Sequence, residues 1–156
     1  MIHTVGIGEI AITASAEDHI ITHALGSCVA VTFYCKATKV AGLIHIALPT
    51  RPQTASHYAK VGYYADEGLD YIISSLKNQF GFNFNSANIH VIGGSNPSKS
   101  KDIFMIGARN LQAVRDYLNL KSIPFIELDV GGTVSRTVEL TVFDGQISIK
   151  KQPLII

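Results

Sequence analysis

Charged side chains are scarce in this sequence, and neither sign predominates. Aspartate, glutamate, lysine and arginine together account for 16% of the residues, and the formal net charge at pH 7 is +1. Proteins that bind nucleic acids or anionic membranes usually carry clustered basic side chains, so the composition supports neither partner. The apolar share of 47% argues against a disordered chain. The composition therefore predicts a globular protein.

Long apolar runs and cysteines are also few. No stretch approaches the roughly 20 apolar residues needed to cross a bilayer, and residues 1–6 lack the pattern of a secretion signal. Cys28 and Cys35 are the only two cysteines, too few for a disulfide framework. These features predict a cytoplasmic protein with free thiols and no membrane insertion. The length predicts one domain, residues 1–156.

Motifs for metal ions and nucleotides are missing as well. Cys28 and Cys35 lack the close Cys-x-x-Cys spacing of structural zinc sites, and only His19 and His23 are spaced like a histidine ligand pair. The glycine-containing loop at residues 93–101 lacks the Gly-Lys-Ser/Thr ending of a phosphate-binding loop. The sequence therefore predicts no metal and no cofactor, and the alternative of a metal site rests on the histidine pair.

Apolar periodicity predicts strands grouped around two helices. Strands are predicted at residues 5–13, 29–34, 40–48, 88–92 and 124–130, and a hairpin at residues 137–143 and 146–150. Asp144 and Gly145 are the residues that a tight primed turn requires. Helices are predicted from residue 58 to the cap Gly81, and from Ile106 with Leu111 on the inner face. This grouping predicts an α+β fold with layered sheets.

The residues best suited to chemistry flank a predicted hairpin. Gly26 and Ser27 precede Cys28 at the start of one strand, and His45 lies in the next. Glycine permits a turn that would present the thiol at a chain edge. Because a free thiol is ionised only to a few per cent at neutral pH, it needs a base, and hairpin pairing would bring His45 to it. The hypothesis is that these residues form one site.

Such a set of groups suits acyl transfer from an amide or a thioester. Cys28 would attack as the thiolate, and His45 would take its proton and return it to the leaving amine. Thr22 or a neighbouring carbonyl would hold the imidazole tautomer, and backbone N–H groups around Gly26 and Ser27 would receive the oxyanion. The alternative is that Cys28 only packs, because free cysteines are among the most buried residues.

Short motifs recur in a characteristic order along nearly the whole chain. They are Gly6-Ile7-Gly8-Glu9, Leu25-Gly26-Ser27-Cys28-Val29-Ala30-Val31, His45 with Leu48-Pro49, Tyr58-Ala59-Lys60, Tyr64-Ala65-Asp66, Gly93-Gly94, Ile106-Gly107-Ala108-Arg109-Asn110, Asp129-Val130-Gly131-Gly132 and Ser135-Arg136-Thr137-Val138. In this order and spacing the sequence resembles the CheD family, the bacterial chemoreceptor glutamine deamidases.

This resemblance implies a cysteine-dependent amidohydrolase that converts selected receptor glutamines to glutamates and releases ammonia. It implies that Cys28 is the nucleophile, His45 the general base and Thr22 the third member of the triad. The implied fold is a β-sandwich with flanking helices, similar to cysteine-dependent deamidating toxin domains. The implied partners are the cytoplasmic helices of methyl-accepting chemotaxis receptors and, in some bacteria, the phosphatase CheC. The alternative function is a non-catalytic adaptor that binds CheC or the receptors.

The chain departs from the common pattern of that family at three places. Ala24 stands where a glycine is frequent, and Ala47 where a methionine is frequent. Residues 94–101 replace a Gly-Gly-Ala segment with a slightly longer loop. None of these changes falls on the triad residues, so we expect them to affect substrate fit and partner choice rather than the reaction.

Overall fold

Two β-sheets and two helices make up the described part of the chain. The computed structural model describes residues 1–54, 59–97 and 104–154. The strands are β1 (Ile2–Thr4), β2 (Ile10–Thr13), β3 (His19–Leu25), β4 (Val29–Cys35), β5 (Val40–Ile46), β6 (Asn88–Gly93), β7 (Ile126–Val130), β8 (Val134–Thr141) and β9 (Ile147–Pro153). The helices are α1 (Ala65–Phe80) and α2 (Ile106–Leu120).

The strands form two mixed sheets. The order is β1-β3-β8-β9 in the first sheet and β2-β5-β4-β6-β7 in the second. β1 runs parallel to β3 and β6 runs parallel to β7, whereas the other paired strands are antiparallel. α2 lies in the crossover between β6 and β7, a connection that parallel strands need. The predicted α+β class, a layered β-sandwich flanked by helices, is confirmed.

The second sheet is covered on both faces, as β4 shows. Val29, Val31 and Phe33 pack with the two helices, while Ala30 and Tyr34 pack against the first sheet. Because side chains alternate between the faces of a strand, one continuous apolar run supplies both cores. The molecule therefore has three layers: the four-stranded sheet, the five-stranded sheet and the helices.

Only the second part of the segment predicted as one strand, residues 5–13, is a strand, β2, and the part before it connects β1 of the first sheet to β2 of the second. β1 and β2 lie on either side of residues 5–9. Within this connection the Glu9 N–H donates to the Gly6 carbonyl oxygen at 3.0 Å, and the Gly6 N–H donates to the Glu9 carboxylate at 2.7 Å. The strand prediction was wrong for residues 5–9 because this reciprocal turn redirects the chain from one sheet to the other.

α1 begins later than predicted. Residue 58, where the periodic pattern starts, lies outside the described residues, and Val61 lies in a turn before the helix. This turn is held by a hydrogen bond to a distant segment, since the Gly62 N–H donates to the Gly8 carbonyl oxygen at 2.9 Å. The prediction of a helix was therefore wrong for residues 61–64, which precede α1. Gly81 caps the other end as predicted, with φ at 60°.

The C-terminal hairpin forms as predicted, but its connection is longer. β8 and β9 pair antiparallel, and the Thr141 N–H donates to the Gln146 carbonyl oxygen at 3.0 Å. Residues 142–146 form the connection, and Gly145 is the one among them with a positive φ, 74°. A type I′ turn needs positive φ at both central residues. The two-residue turn predicted for Asp144 and Gly145 was therefore wrong.

Candidate active site

His45 lies between the two sheets, on the face of β5 that is turned toward β3. Because side chains alternate along a strand, His45 shares this face with Ala41 and Leu43, which pack against the first sheet. The imidazole is 1% exposed, and Thr22 of β3 is fully buried. Thr22 Oγ1 and His45 Nδ1 are 2.7 Å apart. The sandwich therefore brings two of the three predicted site residues into direct contact.

A second hydrogen bond of Thr22 determines which ring nitrogen of His45 carries the proton. Thr22 Oγ1 also lies 2.6 Å from the Val5 carbonyl oxygen, which can only accept. The hydroxyl has one proton and donates it to Val5, so it accepts the proton of His45 Nδ1–H. The lone pair of the neutral ring is then on Nε2, the nitrogen that a general base would use.

The environment of His45 favours the neutral ring. Burial lowers the pKa of His45 to about 4, and the nearby Glu9 carboxylate opposes this shift only in part. Nε2 is buried and has no hydrogen-bond partner among the residues that the structure describes. An unprotonated, unpartnered nitrogen is free to accept a proton from an incoming group.

Cys28 lies next to His45 on the same face of the second sheet. In the β4–β5 register Ala30 is opposite His45, so Cys28, two positions earlier, is the diagonal neighbour of the histidine. Such neighbours have Cα atoms about 7–8 Å apart, within reach of long side chains. The thiol is half-buried, and burial raises the pKa of Cys28 to about 11. It therefore rests as the neutral thiol, without a hydrogen bond to Nε2.

Comparisons with known proteins identify the family. A family model described as CheD chemotactic sensory transduction matches residues 47–151. The chain is 35% identical over 147 residues to the "Probable chemoreceptor glutamine deamidase CheD" of Syntrophotalea carbinolica, covering 92% of this chain and 90% of that protein. It is 36% identical over 138 residues to the "Chemoreceptor glutamine deamidase CheD" of Bacillus subtilis, covering 86% and 82%. The chain belongs to the CheD family. The resemblance predicted from the sequence motifs is thereby confirmed.

One departure from the CheD pattern, Ala24, lies in a bulge of the backbone before Cys28. The register between β3 and β8 shifts between Thr22 and Leu25, and Ala24 in this bulge has a φ of 57°. The left-handed conformation is readily available to glycine and strained for alanine. A glycine would therefore fit this position with less strain. This chain keeps the bulge even though alanine occupies the position.

Two CheD motifs near the C-terminus meet beneath the Cys28 segment. Arg136 is 3% exposed, and its guanidinium donates to the Asp129 carboxylate at 2.9 Å, the Ser95 hydroxyl at 2.9 Å and the Gly131 carbonyl oxygen at 2.8 Å. The Ser95 N–H in turn donates to the Gly26 carbonyl oxygen at 2.9 Å. The sequence motifs marked these positions, but their contact with the Cys28 segment was missed because it joins residues far apart in the chain.

The atypical loop is described only in its first part. Of residues 94–101, the stretch from 98 onward lies outside the described residues. Asn96 connects to two CheD motifs: its N–H donates to the Gly132 carbonyl oxygen at 2.9 Å, and its Oδ1 accepts the Gly107 N–H at 3.1 Å. The start of the loop is therefore anchored to α2 and to the turn before β8.

The remaining cysteine and the histidine pair lie in other surroundings. Cys35 is at the opposite end of β4 from Cys28, and hydrogen bonds from Thr38 lower its pKa. His19 Nδ1 lies 2.9 Å from a Glu139 carboxylate oxygen. The described residues contain no group of three or more His, Cys, Asp or Glu placed to hold a metal ion. In the same part of the chain, no helix has the length and apolar character needed to cross a membrane.

Proposed function

We propose that this protein is a chemoreceptor glutamine deamidase that uses Cys28 as its nucleophile. It would hydrolyse the side-chain amide of selected glutamines on methyl-accepting chemotaxis receptors, forming glutamate and ammonia. The observation that carries the proposal is the buried, neutral His45, whose Nδ1–H is held by Thr22 and whose Nε2 has no partner among the described residues. The β4–β5 register makes Cys28 the diagonal neighbour of this histidine. The names of the relatives support the substrate.

The reaction proceeds through a thioester. Nε2 of His45 takes the thiol proton as the Cys28 sulfur bonds to the glutamine side-chain carbonyl carbon, and the carbonyl oxygen becomes an oxyanion. The imidazolium then returns the proton to the amide nitrogen, the C–N bond breaks and ammonia leaves. Water, deprotonated by His45, attacks the thioester, and the C–S bond breaks to give glutamate and the thiol.

The pKa values of the two groups determine when the proton moves. Burial raises the pKa of the Cys28 thiol and lowers the pKa of His45, so the resting site contains a neutral pair rather than a thiolate–imidazolium ion pair. Proton transfer is therefore coupled to attack on the substrate. The bond from His45 Nδ1–H to Thr22 keeps the ring oriented while it is positively charged.

The biological setting is part of the proposal. We place the single domain, residues 1–156, in the cytoplasm, where it would meet the cytoplasmic helices of the receptors and, as a second partner, the phosphatase CheC. The reaction as written needs no metal or cofactor. The function that competes with this one is an adaptor that binds these partners without changing them.

Mass spectrometry of a receptor cytoplasmic fragment tests the proposal. The fragment is incubated with the wild type, with Cys28→Ala and with Cys35→Ala, a matched control at the other end of β4. We expect amide-to-acid conversion at specific glutamines with the wild type and the control, and none with Cys28→Ala. Equal conversion with Cys28→Ala would refute the nucleophile. Tight binding of the fragment without any conversion by the wild type would favour the adaptor.

A further inference from the structure

A buried amide on α2 joins the segment before Cys28 to the segment after His45. Asn110 is fully buried, and its Nδ2 donates to the carbonyl oxygens of Ser27 and Ala47, each at 2.9 Å. Its Oδ1 is buried with no hydrogen-bond partner in the described part of the chain. An unpaired buried oxygen is unfavourable, so the two donor bonds must offset it.

The peptide carbonyls next to Cys28 are all held in fixed directions. The Ser95 N–H donates to Gly26, Asn110 Nδ2 to Ser27, and the Gly94 N–H to Cys28, each at 2.9 Å. These donors come from the loop after β6 and from α2. The backbone of the catalytic segment therefore has little freedom to rotate its peptide planes.

The direction of the Ser27 carbonyl determines the direction of the Cys28 N–H. In a trans peptide the C=O and the following N–H point in opposite directions, and the described chain has no cis peptide bond. The Ser27 oxygen points toward α2, so the Cys28 N–H points away from the helix layer, toward the face that carries the Cys28 and His45 side chains.

This N–H is also free to bind a ligand. Neither the Ser27 nor the Cys28 N–H donates to a backbone carbonyl of the described residues, whereas the Gly26 N–H already donates to Ala24 at 3.1 Å. Among the backbone groups expected to hold the oxyanion, Gly26 is therefore occupied. The Ser27 and Cys28 N–H groups are not occupied by a backbone carbonyl of the described residues, and the Cys28 N–H belongs to the residue that carries the sulfur, next to which the oxyanion forms.

We propose that Asn110 is a positioning residue for the deamidation: by holding the Ser27 carbonyl, it aims the Cys28 N–H at the developing oxyanion. The proposal rests on the deamidase function. Asn110 acts through the Ser27–Cys28 peptide and does not touch the substrate. Its second bond, to Ala47, ties the same side chain to the residue that follows β5, so Asn110 holds both the segment before Cys28 and the segment after His45.

The variant Asn110→Asp tests this role because it keeps the shape and removes both donors. Its carboxylate would face two carbonyl oxygens, so the Ser27–Cys28 peptide would turn and the Cys28 N–H would lose its direction. We expect kcat for receptor-fragment deamidation to fall by about 10²–10³, as for the loss of one oxyanion donor. KM should stay within about two-fold, because the interaction is made only in the transition state.

Alkylation of Cys28 by iodoacetamide separates this role from a general structural one. Alkylation forms a C–S bond and releases iodide without an oxyanion, so its rate should stay within about two-fold of wild type in Asn110→Asp. Tyr34→Phe is the matched control. It removes a buried side-chain bond to the Val142 carbonyl oxygen, 2.8 Å, at the far end of β4, and should leave kcat unchanged.

The outcomes distinguish the two proposals. A fall in kcat with normal alkylation supports the role of Asn110, whereas an unchanged kcat, or a parallel fall in both rates, overturns it. If Asn110→Asp does not fold, Asn110→Ser is used instead, because it keeps one shorter donor. It should lower kcat about ten-fold with a normal alkylation rate. An unchanged kcat, or a parallel fall in kcat and alkylation rate, would overturn the proposal in this variant too. A wild type that alkylates normally but does not deamidate refutes the deamidase function itself.

Discussion

Replacing Thr22 by valine would remove the hydroxyl that links His45 to Val5 while keeping nearly the same volume. Two buried polar groups would lose their partners: the Val5 carbonyl oxygen, now 2.6 Å from Oγ1, and His45 Nδ1, now 2.7 Å from it. Thr22 is fully buried, so water does not replace the hydroxyl without rearrangement. The substitution therefore tests whether the hydroxyl holds the ring in its working tautomer.

The expected magnitudes follow from these two bonds. Each buried group left unpaired costs about 1–3 kcal/mol, so Thr22→Val should lower the free energy of unfolding by about 2–6 kcal/mol. Without its acceptor, the ring can place the proton on Nε2 and lose the lone pair that we propose accepts the Cys28 proton. The deamidation rate should then fall by about 10²–10⁴, the usual contribution of a general base. Thr22→Ser keeps the hydroxyl and should retain most of the stability and most of the deamidation rate.

Three measurements on each variant test the reasoning. Urea unfolding gives the stability, single-turnover mass spectrometry gives the deamidation rate, and nitrogen chemical shifts of the His45 ring give the tautomer. We expect a proton on Nδ1 in the wild type and in Thr22→Ser. A folded Thr22→Val protein with wild-type turnover, or a wild-type ring protonated on Nε2, would refute the role assigned to Thr22.

Two further predictions concern pH and the backbone around Cys28. Burial lowers the pKa of His45 to about 4, so as pH falls from about 6.5 the histidine is protonated in the unfolded chain before it is protonated in the folded protein. The free energy of unfolding should therefore decrease toward pH 4, and His45 alone contributes at most about 1.4 kcal/mol per pH unit to this decrease. His90, whose pKa burial also lowers, contributes to the same window, so the test is a shallower slope in His45→Gln than in wild type. An added Cβ at Gly93, φ 111°, would collide with the Cys28 carbonyl oxygen, whereas at Gly81, φ 60°, it would meet nothing within 4 Å. Gly93→Ala should therefore lower the thermal stability and slow Cys28 alkylation. Gly81→Ala should lower the free energy of unfolding by only about 1 kcal/mol. Equal losses of stability in the two variants would contradict the predicted collision.

Local patterns in the sequence were sufficient for most of the elements. α2 begins at Ile106 as predicted, and its buried face includes Leu111. The prediction succeeded because the spacing of apolar residues in an amphipathic helix can be recognised within one short stretch of sequence. β4 and β5 were likewise predicted, since both are buried apolar runs separated by a polar turn. The predictions failed where a hydrogen bond to a distant segment overrode the local pattern, as with Gly62 and Gly8 ahead of α1.

The sequence by itself determined the residue types of the candidate site and the family, because Cys28 and His45 stand within motifs that run along nearly the whole chain, and Thr22 lies six residues ahead of Cys28. The expectation that Cys28 and His45 lie close together came from hairpin logic, and the β4–β5 register makes them diagonal neighbours. Only the tertiary structure decided how the His45 ring is held, since Thr22 of the first sheet hydrogen-bonds to His45 of the second sheet and donates its own proton to Val5. The burial that makes this ring neutral is likewise a property of the packed sandwich and of no single stretch of sequence.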